Sequence, residues 1–215
     1  MKALRIAASV MLVGLILSAA AIADGTTKTA LTTVRIDAEE TTFGDLATDA
    51  LCKASATTIA LAPAVIFKPG EIPPGTVSLQ AVNSLLHNPH EKWSVLQLTG
   101  AQISAALERS VSFAPTPRTF FLQVSGLTVV YNPRAPRGRK IKTVRVGKKP
   151  LNETAKYQVA MPASLAEGAS GYFTVFGKSP KIRTGTRGLA EVITGYVDGK
   201  GTVSYTGQGR IVVGG

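Results

Sequence analysis

Residues Trp93 to Val111 read WSVLQLTGAQISAALERSV. Two periodicities meet inside this stretch. From Trp93 to Leu98 apolar and polar residues alternate, the pattern of a strand with one buried face. From Ala101 to Val111 the apolar residues Ile103, Ala106, Leu107 and Val111 fall on one side of a helix. Thr99-Gly100 is the joint: Thr99 offers a cap, and Gly100 suits a tight entry to the helix.

Upstream, Thr42 to Ala54 has helical spacing through Phe43, Leu46, Ala47, Ala50 and Leu51, with Thr41 or Thr42 as N-cap. Thr58 to Ala62 reads as a short buried strand. Pro63 to Gly75 carries four prolines and two glycines and reads as a loop. Ser78 to Leu86 is a short helix capped by Ser78. Downstream, Phe120 to Val124 and Leu127 to Tyr131 are strands around Ser125-Gly126, and Arg139 to Val146 is another. Gly147 to Pro150 is a turn, Tyr157 to Met161 a strand, and Gly185 to Tyr196 holds a last helix. Thr202 to Val213 finishes in extended chain. Strands and helices mix without regular alternation. The expected fold is α+β, a single domain with a mixed β-sheet and several packed helices.

The N-terminus reads differently. Lys2 and Arg5 precede an apolar run from Ile6 to Leu17, and Ala21-Ile22-Ala23 follows before Asp24. That is the layout of a secretory signal cut after Ala23. The run is short against the roughly 20 residues of a membrane span. No later stretch is apolar enough to cross a membrane. The expected product is periplasmic or secreted, with residues 24–40 as a polar, threonine-rich leader or edge strand and 41–213 as the domain. Cys52 stands alone, so no intramolecular disulfide forms, and its apolar surroundings read as a buried, inert thiol. The formal charge is +11, or +9 without Lys2 and Arg5. Such a charge favours anionic partners. Nucleic acid is not expected among them, because no aromatic-rich basic motif is present.

Six segments in order resemble the C-terminal, substrate-binding domain of the 5'-nucleotidase family. They are Phe43 to Leu51, Leu98 to Glu108, Phe121 to Pro133, Pro150-Leu151 with Tyr157 to Ala160, Gly168 to Tyr172, and Gly209-Arg210-Ile211. In the first, Asp45 replaces the family's usual Asn. The resemblance implies the fold above and an association with nucleotide hydrolysis. It also implies a separate metallophosphoesterase chain as partner, because the family's chemistry resides in a two-metal N-terminal half. These residues hold no such ligand set. The chain has two histidines, His87 and His90, and beyond Glu91 they lack companions for a metal. No Gly-x-Ser-x-Gly elbow is present. No cofactor, metal or catalytic residue is expected.

The resemblance also locates departures. The family's Asn-Gly-Gly-Gly-Ile-Arg ligand loop falls at Pro63 to Lys68, where Asn and all three glycines are gone. Lys68 keeps a point charge but not a bidentate fork. One family stacking ring falls near His87, in Leu85 to His90, where no Phe stands. The other falls at Ser164, and the loop's acidic residue falls at Ser170. Lys68, His87, Ser170 and Tyr172 are the degenerate substrate-site candidates, with Trp93 and Phe173 as further rings. Two readings stay open: a substrate-binding domain serving a separate phosphoesterase, and a binding or structural module that has lost nucleotide recognition. Finally, Arg134, Arg137, Arg139, Lys140, Lys142, Arg145, Lys148 and Lys149 have no acid among them. They read as a solvated hairpin or as a docking surface for an acidic partner or membrane face.

Overall fold

The computed structural model describes residues 24–214. The signal pattern of Met1 to Ala23 lies outside the described residues. In chain order the elements are β1 (Thr26–Thr27), β2 (Leu31–Thr32), α1 (Thr42–Ser55), β3 (Ile59–Pro63), β4 (Glu71–Ile72), β5 (Gly75–Thr76), α2 (Leu79–Ser84), β6 (Trp93–Thr99), α3 (Gly100–Ser110), β7 (Leu122–Ser125), β8 (Leu127–Tyr131), β9 (Ile141–Val146), β10 (Lys149–Pro150), β11 (Lys156–Pro162), α4 (Ala163–Ala166), α5 (Phe173–Phe176), β12 (Lys181–Thr184), α6 (Leu189–Lys200), β13 (Thr202–Val203) and β14 (Ile211–Val213).

The central sheet has the order β12-β6-β11-β3-β7. Within it only β3 and β11 run parallel; the other pairs are antiparallel, so the sheet is mixed as expected. Alternation along each strand splits its side chains between two cores. Ile59, Leu61, Leu96, Leu98, Val159 and Met161 face a core shared with α3 and α5. Ala60, Ala62, Val95 and Ala160 face a second core, filled by α1, α2 and α6. The small residues on this side leave room for the larger α1 side chains Phe43, Leu46 and Leu51, all fully buried. A second sheet, β10-β9-β8-β14, covers the α3 side, and β8 alternates buried and half-buried residues along its length.

The local signals act as their chemistry dictates. Thr41 caps α1 by accepting the Gly44 amide at 3.2 Å, and Ser78 caps α2 through Ala81 N at 3.1 Å. Thr99 and Gln102 form a reciprocal capping box at the start of α3. No side chain fits at the Gly126 turn. Its φ is +75°, and a Cβ there would stand 1.7 Å from the Thr58 carbonyl oxygen.

Three segments differ from the sequence reading. Residues 24–40 are woven into the domain: β1 pairs with both β13 and β5, and Leu31 and Ile36 are core residues. Residues 163–176 fold into α4, a 3-10 turn over 169–171, and α5. The last helix runs from Leu189 to Lys200, four residues past the expected Tyr196, and ahead of it Gly185 N donates to Trp93 O at 2.8 Å and extends the β12 pairing.

The basic stretch does form a ribbon, with Gly147 at its turn. Arg134, Arg137, Arg139 and Lys142 are exposed, but Lys140 is 5% exposed and must be withdrawn from any docking surface. Its Nζ donates to the carbonyls of Ala114, at 3.1 Å, and Pro133. Glu108 accepts the Lys140 and Ile141 amides at 2.8 and 2.9 Å. Lys140 therefore ties the ribbon to the end of α3. Lys140→Ser is expected to destabilise the domain by about 2 kcal/mol, since a charged donor leaves two partly buried carbonyls. Arg139→Ser should stay within about 0.5 kcal/mol of wild type. Urea denaturation of both variants checks this; equal midpoints would mean that Lys140 is as dispensable as its neighbours.

Candidate functional site

The residues that replace the glycine loop build a short, internally satisfied turn. Ala64–Ile66 is one turn of 3-10 helix, closed by Phe67 N donating to Ala64 O at 3.0 Å. Ala64 N donates to Phe121 O at 2.8 Å and Val65 N to Thr119 O at 2.7 Å. Those amides point into the protein, so they are not free to meet a ligand. Phe67 is 4% exposed and meets Phe43 edge-on, with ring centroids 5.9 Å apart.

Lys68 and His87 flank this turn. Lys68 N donates to Leu85 O at 2.9 Å, and its carbonyl accepts the Thr33 hydroxyl at 2.7 Å. His87 N donates to Ile66 O at 2.9 Å, and the residue is exposed. Between them and residues 33–37 lies a depression of about 360 Å³, lined by Val34, Ile36, Val65, Phe67 and His87 among others. Val34 and Val65 form an exposed apolar rim. Arg35 sits beside it with φ +63° and pairs with Glu39 at 3.0 Å, an exposed contact of small energetic worth.

Ser170 and Tyr172 are not part of this depression; Tyr172 belongs to the core on the α3 side. Its ring is fully buried and stacks on Phe176 at 5.4 Å, and its hydroxyl donates to Phe120 O at 2.7 Å. Burial drives its pKa well above the usual phenol value. Tyr172 is therefore a core ring and offers no face to a base. Ser170 has φ +57°, and its carbonyl accepts a hydrogen bond from Arg109. Ser164, at the second stacking position, donates its amide to Glu91 Oε1 at 2.9 Å. Trp93 is buried against Gly185. Phe173 is 65% exposed, with its ring open to solvent. The structure thus sets Lys68 and His87 on adjacent hydrogen-bonded backbone, with His87 but not Lys68 lining the depression, and separates both from Ser170 and Tyr172. Among the described residues no group of three His, Cys, Asp or Glu is placed to hold a metal.

A buried charge cluster stands out that periodicity alone does not reveal. Arg210 reaches Asp49 through two bonds of 2.9 Å, donates to Val124 O at 3.0 Å, and approaches Asp45 at 3.3 Å. Asp49 also accepts the Ser125 hydroxyl at 2.6 Å and the Tyr205 hydroxyl at 2.9 Å. Glu40 accepts the amides of Gln208, Arg210 and Ile211. Burial pushes the Asp45 carboxyl up to about 8; Arg210 pulls the other way, and Glu40 and Asp49 add to the rise. Burial wins because Arg210 spends its best geometry on Asp49. Desolvation opposes the Arg210 charge, yet its bonds to Asp49 and the attraction of Asp45 hold its pKa above the usual value. The signal in the sequence is a pair of acids four residues apart on one helix face.

Residues 21–178 match the profile of the family described as 5'-nucleotidase, C-terminal domain, and the chain belongs to that family. Among its relatives, an apyrase of Aedes aegypti is 30% identical over 128 residues, covering 55% of this chain and 22% of the relative. A snake venom 5'-nucleotidase of Naja atra is 28% identical over 128 residues, covering 56% of this chain and 24% of the relative. The chain thus spans less than a quarter of the length of these two relatives. A 5'-nucleotidase precursor of Thermus thermophilus superposes with a TM-score of 0.79 and 29% identity, over 88% of this chain and 39% of its own. A sulfate thiohydrolase of the same genus, SoxB, shares the fold at 23% identity and a TM-score of 0.70, over 89% of this chain and 35% of its own.

Proposed function

We propose that this chain is a non-catalytic member of its family, working in nucleotide breakdown only through a separate metallophosphoesterase chain, and that it no longer grips a nucleotide base in the family's manner. The observation that carries this reading is the inward bonding of Ala64 N and Val65 N at the position of the glycine loop. Burial of Tyr172 supports it, because base stacking contributes about 1–3 kcal/mol per ring where it operates. We also propose export to the periplasm or exterior, which rests on the Met1 to Ala23 pattern.

A second reading keeps nucleotide binding in the depression beside His87. Calorimetry with adenosine, which carries no phosphate, separates the two. The expected result is no saturable heat up to millimolar adenosine, together with no metal-dependent release of phosphate from AMP by the purified chain. Micromolar adenosine binding that is lost on His87→Ala would establish the second reading instead.

A further inference from the structure

An unexplained polar feature lies on the α3 side of the central sheet, away from the 64–68 turn. Between α3, α5 and the loop 132–139 is a depression of about 400 Å³, lined by Glu108, Arg109, Ser112, Arg137 and Thr174 among others. Ser112 is 8% exposed, and its hydroxyl has no hydrogen-bond partner. The Arg109 Nε is likewise buried and unpartnered. Buried donors left open in this way are uncommon and costly, and two at one depression call for an acceptor.

Both guanidiniums are held in place without a carboxylate. Arg109 lies over the rings of Phe120 and Tyr172, with Cζ 4.6 and 5.2 Å from their centroids, and donates to Ser170 O. The loop under it is shaped for that contact: Gly171 has φ +78°, and a Cβ there would stand 2.2 Å from Arg109 Nη2. Arg137 lies 4.2 Å over Phe113, whose ring also carries Arg118 at 4.8 Å. Stacking fixes the direction of a guanidinium and leaves its edge N–H groups to bond elsewhere. Among the residues lining the depression Glu108 is the one acid, and both its oxygens already accept the amides of Lys140 and Ile141.

We propose that this depression is a binding site for a tetrahedral oxyanion, as free phosphate or as the phosphate of a small monoester, held by Arg109, Ser112 and Arg137. Three donor side chains, two at the end of α3 and one from the loop 132–139, match an anion with three or more acceptor oxygens better than a two-oxygen carboxylate. The site does not depend on how the 64–68 turn is read.

The test is calorimetric titration of the purified full chain with inorganic phosphate and with methyl phosphate at matched ionic strength, with acetate as competitor. Both phosphates should bind saturably, and acetate should not displace them. Ser112→Ala and Arg137→Ser should each weaken binding about tenfold, the effect of one lost bond to a charged partner. Ser112→Ala should leave the melting temperature unchanged, because the hydroxyl makes no bond within the protein. Tighter binding of methyl phosphate would assign the ligand to monoesters, and equal binding to the anion itself. Absence of saturable phosphate binding by wild type overturns the proposal. So does wild-type affinity in both variants, or a drop in melting temperature for Ser112→Ala with affinity unchanged.

Discussion

Arg210→Ala is expected to destabilise the domain by about 3–5 kcal/mol, the range for removing one partner of a buried ion pair. The substitution leaves Asp49 charged and three-quarters buried, with the Ser125 and Tyr205 hydroxyls and its open edge to satisfy it. It also strands the Val124 carbonyl and removes the attraction on Asp45. Arg210→Lys should recover less than half of the loss, because an ammonium cannot engage both Asp49 oxygens side by side. Chemical denaturation with a fitted slope measures both. A midpoint for Arg210→Ala within error of wild type would show that the cluster is ornamental to stability.

Asp45→Asn is expected to stabilise the domain, by an amount that grows with pH. In the folded protein burial holds the carboxyl at about 8, against an ordinary value of 3.8. A folded-state value above the unfolded one means that the unfolded chain releases the proton first. The contribution of Asp45 to stability is therefore fully present below pH 4 and is lost as pH rises towards 8. Asparagine does not titrate, so the variant should lack this slope. The gap between the two proteins should be near zero at pH 4 and on the order of 5 kcal/mol at pH 8; the value of about 8 already includes the pull of Arg210 on the ionised form. Melting curves from pH 4 to 8 test it; parallel pH profiles for both proteins would refute it.

The fold is legible wherever local chemistry and periodicity agree. Thr99 and Gln102 announce the start of α3, Thr41 that of α1, and the alternation from Trp93 to Leu98 is a true strand. Residues 163–176 are opaque in sequence because their helices are only four residues each, too short for a 3.6-residue period to show. The stretch 24–40 reads as a leader or edge strand because its threonines are polar; in the fold Thr27 and Thr33 bond backbone carbonyls from buried positions. At the candidate site, the lost glycines are plain from the sequence. The fate of the amides they would free is not, since it depends on Thr119 and Phe121, more than fifty residues downstream. Lys140 sits among seven other cations and nothing local marks it as buried; only the carbonyls of Ala114 and Pro133 do. Arg109 and Ser112 attract no notice in sequence because each is unexceptional near the end of an amphipathic helix.

The interleaved order of the central sheet governs when the chain can fold at all. β3 needs β11 beside it, and Ala60 meets Ala160 about 100 residues later. Glu40 waits longer still, for an amide 171 positions away in β14. A ribosome delivering this chain from its N-terminus would have to release residue 160 of 215 before the first contact closes, and almost the whole chain before the second. Contacts so distant in sequence slow folding, because the entropy of closing large loops is lost before the contacts form. Nascent chains ending before β11 would consequently stay protease-sensitive, each exposing β3 with one side of its ladder unpaired.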